Sequence, residues 1–307
     1  MRKELCDALL ARVKDPNTIF LTGDLGFMVL EPLQKALGIR FINAGVAEQN
    51  MISIAAALAK DGWQPWCYSI ASFCFARPFE QIRNDICLHD LPVKLLGNGG
   101  GYGYGVMGPT HHAIEDYCVM LALPFMKVYV PCFDEDVGAT IAAAASWPHP
   151  CYVRLGRGEL PEGETCPEYQ AWRRVLVGAG AVIVSVGPIA GSAWSELRDL
   201  PEATRPDLWI LSELPLVAGS LPPDLVARVS AGAHLVVLEE HIAHGGAGIM
   251  LAHRLLLDGV VVKRFTGLTA LGLALGVYGS QKFLRKHSGL APEDIRRVVL
   301  SKTGVKL

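Results

Sequence analysis

One glutamate stands where a strand-like segment gives way to an apolar helix. In FINAGVAEQNM (41–51), Glu48 comes just after the strand pattern and opens the helical one. A carboxyl group at such a position is largely removed from water and can share a proton with the nitrogen of an aromatic ring. The alternative role is structural, because an acid in the first turn also stabilises a helix N-terminus through the dipole.

Three aromatic rings and an arginine follow within one short segment. In SIASFCFARPFEQIRND (69–85) these residues are Phe73, Phe75, Arg77 and Phe79. Flat aromatic faces suit stacking on a ring such as an aminopyrimidine. Aromatic residues near the end of a strand also serve as plain core, so the cluster as a whole is the candidate site.

Two histidines follow a glycine-rich stretch in GPTHHAIED (108–116). The unperturbed pKa of a loop histidine suits proton transfer to or from a substrate hydroxyl or carbonyl near neutral pH. His111 is the candidate for this role, whereas His112 is open to the alternative of an ordinary surface residue.

Strand and helix patterns alternate along the chain that must position these residues. Alternation of this kind predicts a parallel sheet covered by helices. The segment 159–175 is rich in Pro and Glu and interrupts the pattern. The strand-like runs are 18–26, 92–101 and 126–131 before it, and 180–187, 207–213, 234–240 and 260–265 after it. We predict an α/β fold of two doubly wound domains, 1–160 and a smaller 177–307, joined by a linker at 161–176.

The composition excludes several classes of function. A net charge of -2 without a dense basic tract argues against nucleic-acid binding. No long apolar run predicts a membrane span, and the charged, helical pattern of residues 1–16 is unlike a signal peptide. The eight cysteines form no CxxC pair and lie mostly in apolar settings, as is typical of reduced core residues. We expect a cytoplasmic protein that takes a small-molecule substrate.

The segments GVAEQN, SIASFCFARPFEQIRND and GPTHHAIED occur in an order that resembles the transketolase family. The resemblance implies a pyrimidine-binding domain over 1–160 and a transketolase C-terminal domain over 177–307. It also implies thiamine diphosphate as cofactor, with Glu48 on the pyrimidine ring and His111 as the active-site histidine. It favours Phe75 as the stacking ring, with Phe73, Arg77 and Phe79 in the same cofactor-binding cluster.

Substrate contacts are also implied by the resemblance, with one departure. Arg157, at the strand exit in CYVRLGRGEL (151–160), resembles the arginine that receives the far end of the substrate, although it can equally be a solvated charge. Met107 stands where transketolases have an aspartate that contacts a substrate hydroxyl. A methionine offers no charged acceptor, so a non-standard substrate is expected.

A magnesium and diphosphate site is missing from the sequence. The family holds magnesium on a Gly-Asp-Gly segment followed by asparagines, and GDLG (23–26) lacks the third element and the asparagines. In the second half, Glu239, His241 and His244 are metal ligands by type, but the family uses this region for packing. The resemblance therefore implies a separate N-terminal subunit that holds Mg2+ and the diphosphate, with no metal site in this chain.

The implied activity is transfer of a two-carbon ketol unit from a ketose or 2-oxo donor to an aldehyde acceptor. The chain is expected to work only with its partner, as a heterotetramer of two of each subunit. Two alternatives stay open at this stage. One is the β subunit of a 2-oxoacid dehydrogenase, and the other is a non-catalytic interaction subunit of the same fold.

Overall fold

The computed structural model describes residues 1–273 and 276–301. The strands in chain order are β1 (Thr18–Thr22), β2 (Phe41–Asn43), β3 (Gln64–Ile70), β4 (Lys94–Asn98), β5 (Lys127–Tyr129), β6 (Cys151–Leu155), β7 (Trp172–Leu176), β8 (Val182–Val186), β9 (Asp207–Leu211), β10 (Glu213–Leu214), β11 (Leu235–Ile242) and β12 (Phe265–Ala270). They form two sheets, one in each half of the chain.

Helices cover both sheets. They are α1 (Arg2–Leu10), α2 (Glu31–Leu37), α3 (Glu48–Lys60), α4 (Ala71–Ala76), α5 (Phe79–Gln81), α6 (Asp116–Leu121), α7 (Asp136–Ser146), α8 (Ile189–Leu197), α9 (Pro223–Ser230), α10 (Ala247–Leu257), α11 (Gln281–His287) and α12 (Pro292–Leu300). Single 3-10 turns add Gly105–Met107 and Pro109–His111 beside the candidate histidine. Within the described part of the chain, no helix has the length and apolar character needed to cross a membrane.

The first sheet has the strand order β10-β5-β6-β4-β3-β1-β2, and the second has the order β12-β11-β8-β9-β7. All pairings are parallel except β10 with β5 and β7 with β9. Every residue of β1, β4, β6 and β8 is buried, as expected for parallel strands with helices on both faces. The predicted α/β fold with two mostly parallel sheets is confirmed.

Three local features differ from what the sequence suggests. The run 260–265 is not a strand, because the Val260 N–H bonds to the Leu255 carbonyl at the end of α10 (2.9 Å) and pairing with β11 begins only at Phe265. The last five residues of the segment predicted as a linker form β7. The short β10, from the second half of the chain, adds an edge strand to the first sheet.

A buried ion pair joins the two halves of the chain. The Arg173 guanidinium on β7 donates to both carboxylate oxygens of Asp136 on α7, at 2.6 and 2.7 Å. Asp136 also accepts the backbone N–H groups of Cys132 and Phe133. Both charged side chains are almost fully excluded from water, so removing one partner leaves the other uncompensated.

We predict that Arg173→Met lowers the free energy of unfolding by about 3–5 kcal/mol, the cost of leaving a buried carboxylate unpaired. The matched control is Arg296→Met, which breaks an exposed pair with Glu196 and should change stability by less than about 0.5 kcal/mol. Urea unfolding of the two variants checks this. Equal shifts in both would contradict the role given to the buried pair.

Candidate active site

Glu48 lies at the N-terminal end of α3, just after the loop that follows β2. The Asn43 side chain shapes this loop, because its Oδ1 accepts the N–H groups of Gly45 (3.0 Å) and Asp24 (3.1 Å). The Glu48 side chain points into the protein and is only 3% exposed. The parallel sheet and the first turn of α3 thus hold a carboxylate out of water at the edge of the first sheet.

Arg77 provides the positive charge that this buried carboxylate requires. Its Nη1 lies 3.0 Å from each carboxylate oxygen of Glu48. The same guanidinium lies 3.9 Å from the centroid of the Phe73 ring and remains 44% exposed. One solvent-accessible cation therefore connects the carboxylate to an aromatic face.

His111 completes this cluster from the other side of Phe73. Their ring centroids are 5.0 Å apart in an edge arrangement. Its Nδ1 lies 3.0 Å from the Thr110 hydroxyl. Burial lowers the pKa of His111 below its ordinary value of 6.5, and the positive charges of His112 and Arg77 lower it further. The imidazole is therefore mainly neutral near pH 7 and able to accept a proton.

The aromatic residues of the predicted cluster do not all face this site. Phe75 is 7% exposed and belongs to the apolar core between the first sheet and its helices, and Phe79 packs against the same core. Phe73 is the ring that meets both Arg77 and His111. The structure thus favours Phe73 over the expected Phe75 as a stacking surface. His112 is buried, with its Nε2 3.1 Å from the Gly105 carbonyl, so the surface alternative for it is wrong.

A cavity of about 340 Å³ lies beside the histidine loop (residues 108–115). Arg157 lines it, together with Arg2 on α1 and the side chains of Asn98 and Tyr104. Asn98 donates to the Tyr104 hydroxyl at 2.6 Å, and the Tyr104 ring centroid is 6.2 Å from that of His111. Two guanidinium groups at one end suit a phosphate or carboxylate.

Arg2, Asn98 and Tyr104 are cavity residues that sequence reasoning missed. Arg2 and Arg157 come together only because α1 packs beside the C-terminal end of β6, and no spacing along the chain signals this. Met107 ends the 3-10 turn Gly105–Met107 and is 55% exposed, on the same side of the fold as His111. Its thioether is therefore free to meet a ligand or a second protein chain.

The side chains around Glu48 fit an aminopyrimidine. Glu48 Oε1 and the Ser69 hydroxyl both face the Cα atom of Gly23, since a Cβ added there would lie 3.8 Å from each. The Ser69 hydroxyl is buried without a hydrogen-bond partner among the described residues. Such a group is expected to have a partner in the working protein. A carboxylate, an unpaired hydroxyl and the Phe73 face are the groups that a flat, nitrogen-rich ring needs.

The donors needed for magnesium and diphosphate are not assembled in the same way. Asp24, in the GDLG segment, accepts the Asn43 side-chain amide at 2.8 Å and so already has an internal partner. Glu239 accepts the Tyr117 hydroxyl and the N–H groups of Ala247 and Gly248. Across residues 1–273 and 276–301, no group of three His, Cys, Asp or Glu side chains could hold a metal ion.

Comparison with known proteins adds a family match and several relatives. Residues 7–162 match the model of the transketolase pyrimidine-binding domain. One of the two subunits of an apulose-4-phosphate transketolase from Phocaeicola vulgatus is 28% identical over 97% of this chain and 96% of its own length. A putative transketolase C-terminal section of Methanocaldococcus jannaschii is 30% identical over 98% of this chain and 95% of its own length.

One solved structure matches over almost the whole chain. It is described as a split gene transketolase in an inactive beta4 tetramer, with a TM-score of 0.80 and 26% sequence identity. The alignment covers 97% of both chains. The likeness therefore includes both sheets and the helices between them.

We predict that Arg77→Gln raises the pKa of His111, because it removes one of the positive charges that disfavour the imidazolium form. NMR titration of the histidine ring protons in the isolated subunit measures this pKa. The control is Arg83→Gln, which removes an exposed arginine whose guanidinium bonds to the neighbouring Asn84, and it should leave the titration unchanged. A His111 pKa that stays constant or falls in Arg77→Gln would contradict the arrangement.

Proposed function

Because the chain belongs to the transketolase family, we propose that it is the C-terminal subunit of a split, thiamine diphosphate-dependent transketolase. It transfers a two-carbon ketol unit from a ketose or 2-oxo donor to an aldehyde acceptor. The observation that carries this proposal is the buried Glu48 carboxylate beside the Phe73 face, with His111 on the other side of that ring. The full-length likeness to one subunit of an apulose-4-phosphate transketolase supports the division into subunits.

Thiamine diphosphate supplies the electron sink that lets a carbon–carbon bond next to a carbonyl break and re-form. Glu48 holds the ring nitrogen of the pyrimidine by sharing a proton with it, and the Phe73 face stacks on the ring. Neutral His111 moves a proton at the substrate hydroxyl or carbonyl oxygen. Burial around Glu48 excludes the water that would otherwise compete for these contacts.

A separate N-terminal subunit holds Mg2+ and the diphosphate in this proposal. The internal bond between Asp24 and Asn43 supports it, since the Gly-Asp segment of the first half is already engaged within the chain. Two copies of each subunit form a heterotetramer, because closed symmetry is the usual solution for oligomers. The eight free cysteines support a reducing compartment such as the cytoplasm, where the enzyme acts in carbohydrate metabolism.

The substrate is a phosphorylated ketose whose anionic end is bound by Arg157 and Arg2. The relative in Phocaeicola vulgatus is named for apulose 4-phosphate, and a related phosphorylated sugar suits the two arginines in the cavity. Met107 replaces an acidic acceptor with an apolar one, so the substrate lacks the free hydroxyl that an aspartate would accept, or presents it elsewhere.

We predict that Glu48→Gln abolishes ketol transfer by the assembled pair, with a loss of at least about a hundredfold, because an amide cannot share the required proton. The control Glu80→Gln, at an exposed position on α5, should retain activity. Release of aldehyde from a ketose phosphate with transfer to an acceptor is the assay. Full activity of Glu48→Gln would instead favour a non-catalytic interaction subunit, and turnover of a 2-oxo acid without a ketose donor would favour a 2-oxoacid dehydrogenase.

We predict that Arg157→Gln raises the KM for a phosphorylated donor about tenfold to a hundredfold, the usual worth of a charge-assisted hydrogen bond. The KM for the matching unphosphorylated sugar should change by less than about twofold, since that donor carries no charge for the guanidinium. Steady-state kinetics of the assembled pair with both donors measures the two ratios. A similar change for both donors would remove Arg157 from phosphate binding.

A further inference from the structure

The C-terminal half of the chain contacts the loops that carry His111 and Met107 through a buried, charged network. Arg154, at the end of β6, lies at its centre and is almost fully buried. Its Nη2 donates to the Ala113 carbonyl in the histidine loop (2.7 Å) and to the Glu240 carbonyl in β11 (2.8 Å). Its Nε donates to Asp116 at 2.9 Å. One guanidinium therefore joins the histidine loop to a strand of the second sheet.

The glycine-rich loop (residues 99–107) is attached to the same network. Gly101 and Ala113 exchange two backbone hydrogen bonds, Gly101 N–H to Ala113 O at 2.8 Å and Ala113 N–H to Gly101 O at 3.0 Å. The stem of Arg154 crosses directly over Gly100, where an added Cβ would lie 2.5 Å from its Cγ. The position of the loop that ends in Met107 is thus set by residues of the histidine loop and of β6.

Glu240 extends the network into α11. Its carboxylate accepts the Nε and Nη2 groups of Arg285, both at 2.9 Å, and the Gln281 amide at 3.1 Å. The N-terminal end of α11 packs in turn on Gly105, where an added Cβ would lie 2.7 Å from the Gln281 nitrogen. The buried pair therefore clamps α11 against the turn that presents Met107.

We infer that Glu240 and Arg285 are positioning residues for catalysis, which hold the histidine loop and the Met107 turn in the geometry that the substrate meets. This inference rests on the proposed function for its catalytic consequence. The bidentate Arg285–Glu240 pair fixes α11, α11 supports Gly105, and the Glu240 carbonyl helps to hold Ala113 through Arg154. The second domain thereby sets the position of His111, without touching Glu48.

The test compares Arg285→Met with Arg254→Met. The two arginines have equally exposed side chains (16%), lie in the same half of the chain and each pair with one carboxylate, but Arg254 pairs with Asp258 at the end of its own helix, α10. Hydrogen exchange of the Gly101 and Ala113 amides is measured in the isolated subunit. Kinetics and thiamine diphosphate binding are measured in the assembled pair.

We expect Arg285→Met to lower the exchange protection of both amides about tenfold or more and to lower kcat by a similar factor. The Kd for thiamine diphosphate should stay within about twofold, because the Glu48 side is outside the network. Arg254→Met should change none of these, and Arg285→Lys, which keeps the charge but loses the fork, should recover part of the loss. If Arg285→Met does not fold, Gln281→Met gives a milder loss of the same contacts.

A variant that is less stable but keeps its exchange protection and its kcat would overturn the inference, since the pair would then only stabilise the domain. The exchange measurement needs no cofactor and no partner subunit. If the wild-type pair lacks ketol transfer, the proposed function fails, whereas the positional coupling is still decided by the two amides.

Discussion

The carboxylate of Glu48 is buried, and a buried charge is stable only when another group balances it. In this chain Arg77 balances it from the open side of the site, with its guanidinium stacked on Phe73 and its charge acting on His111. The four side chains come from three segments that meet at one edge of the first sheet. Their arrangement follows from the need to hold one carboxylate out of water without leaving it unpaired.

The sequence was sufficient to predict the α/β fold and the family, because alternating buried strands and three ordered motifs are properties of residue type and order. It placed Glu48 at the start of a helix, as observed. It favoured Phe75 over Phe73, and the structure does not support this. The segment forms α4 and not an extended strand exit, and residues two apart on a helix point about 200° apart. Phe75 therefore packs in the core, while Phe73 faces Arg77.

Contacts between distant segments were beyond sequence reasoning. Neither the meeting of Arg2 and Arg157 in one cavity nor the pairing of β10 with β5 leaves a pattern in local composition. The network from Arg154 through Glu240 to Arg285 is likewise a product of how the second sheet docks. It gives the C-terminal half a role in the geometry of the site that packing alone does not require.

If this chain holds the pyrimidine side of a cofactor whose diphosphate is held by another subunit, tight binding of thiamine diphosphate should require both subunits. Titration calorimetry with thiamine diphosphate and Mg2+ measures this most directly, on this chain alone and on its complex with the N-terminal subunit that co-purifies with it. We expect saturable binding by the complex and none by this chain alone at the same concentrations. Equally tight binding by this chain alone would contradict the division, because the diphosphate site would then lie within these residues.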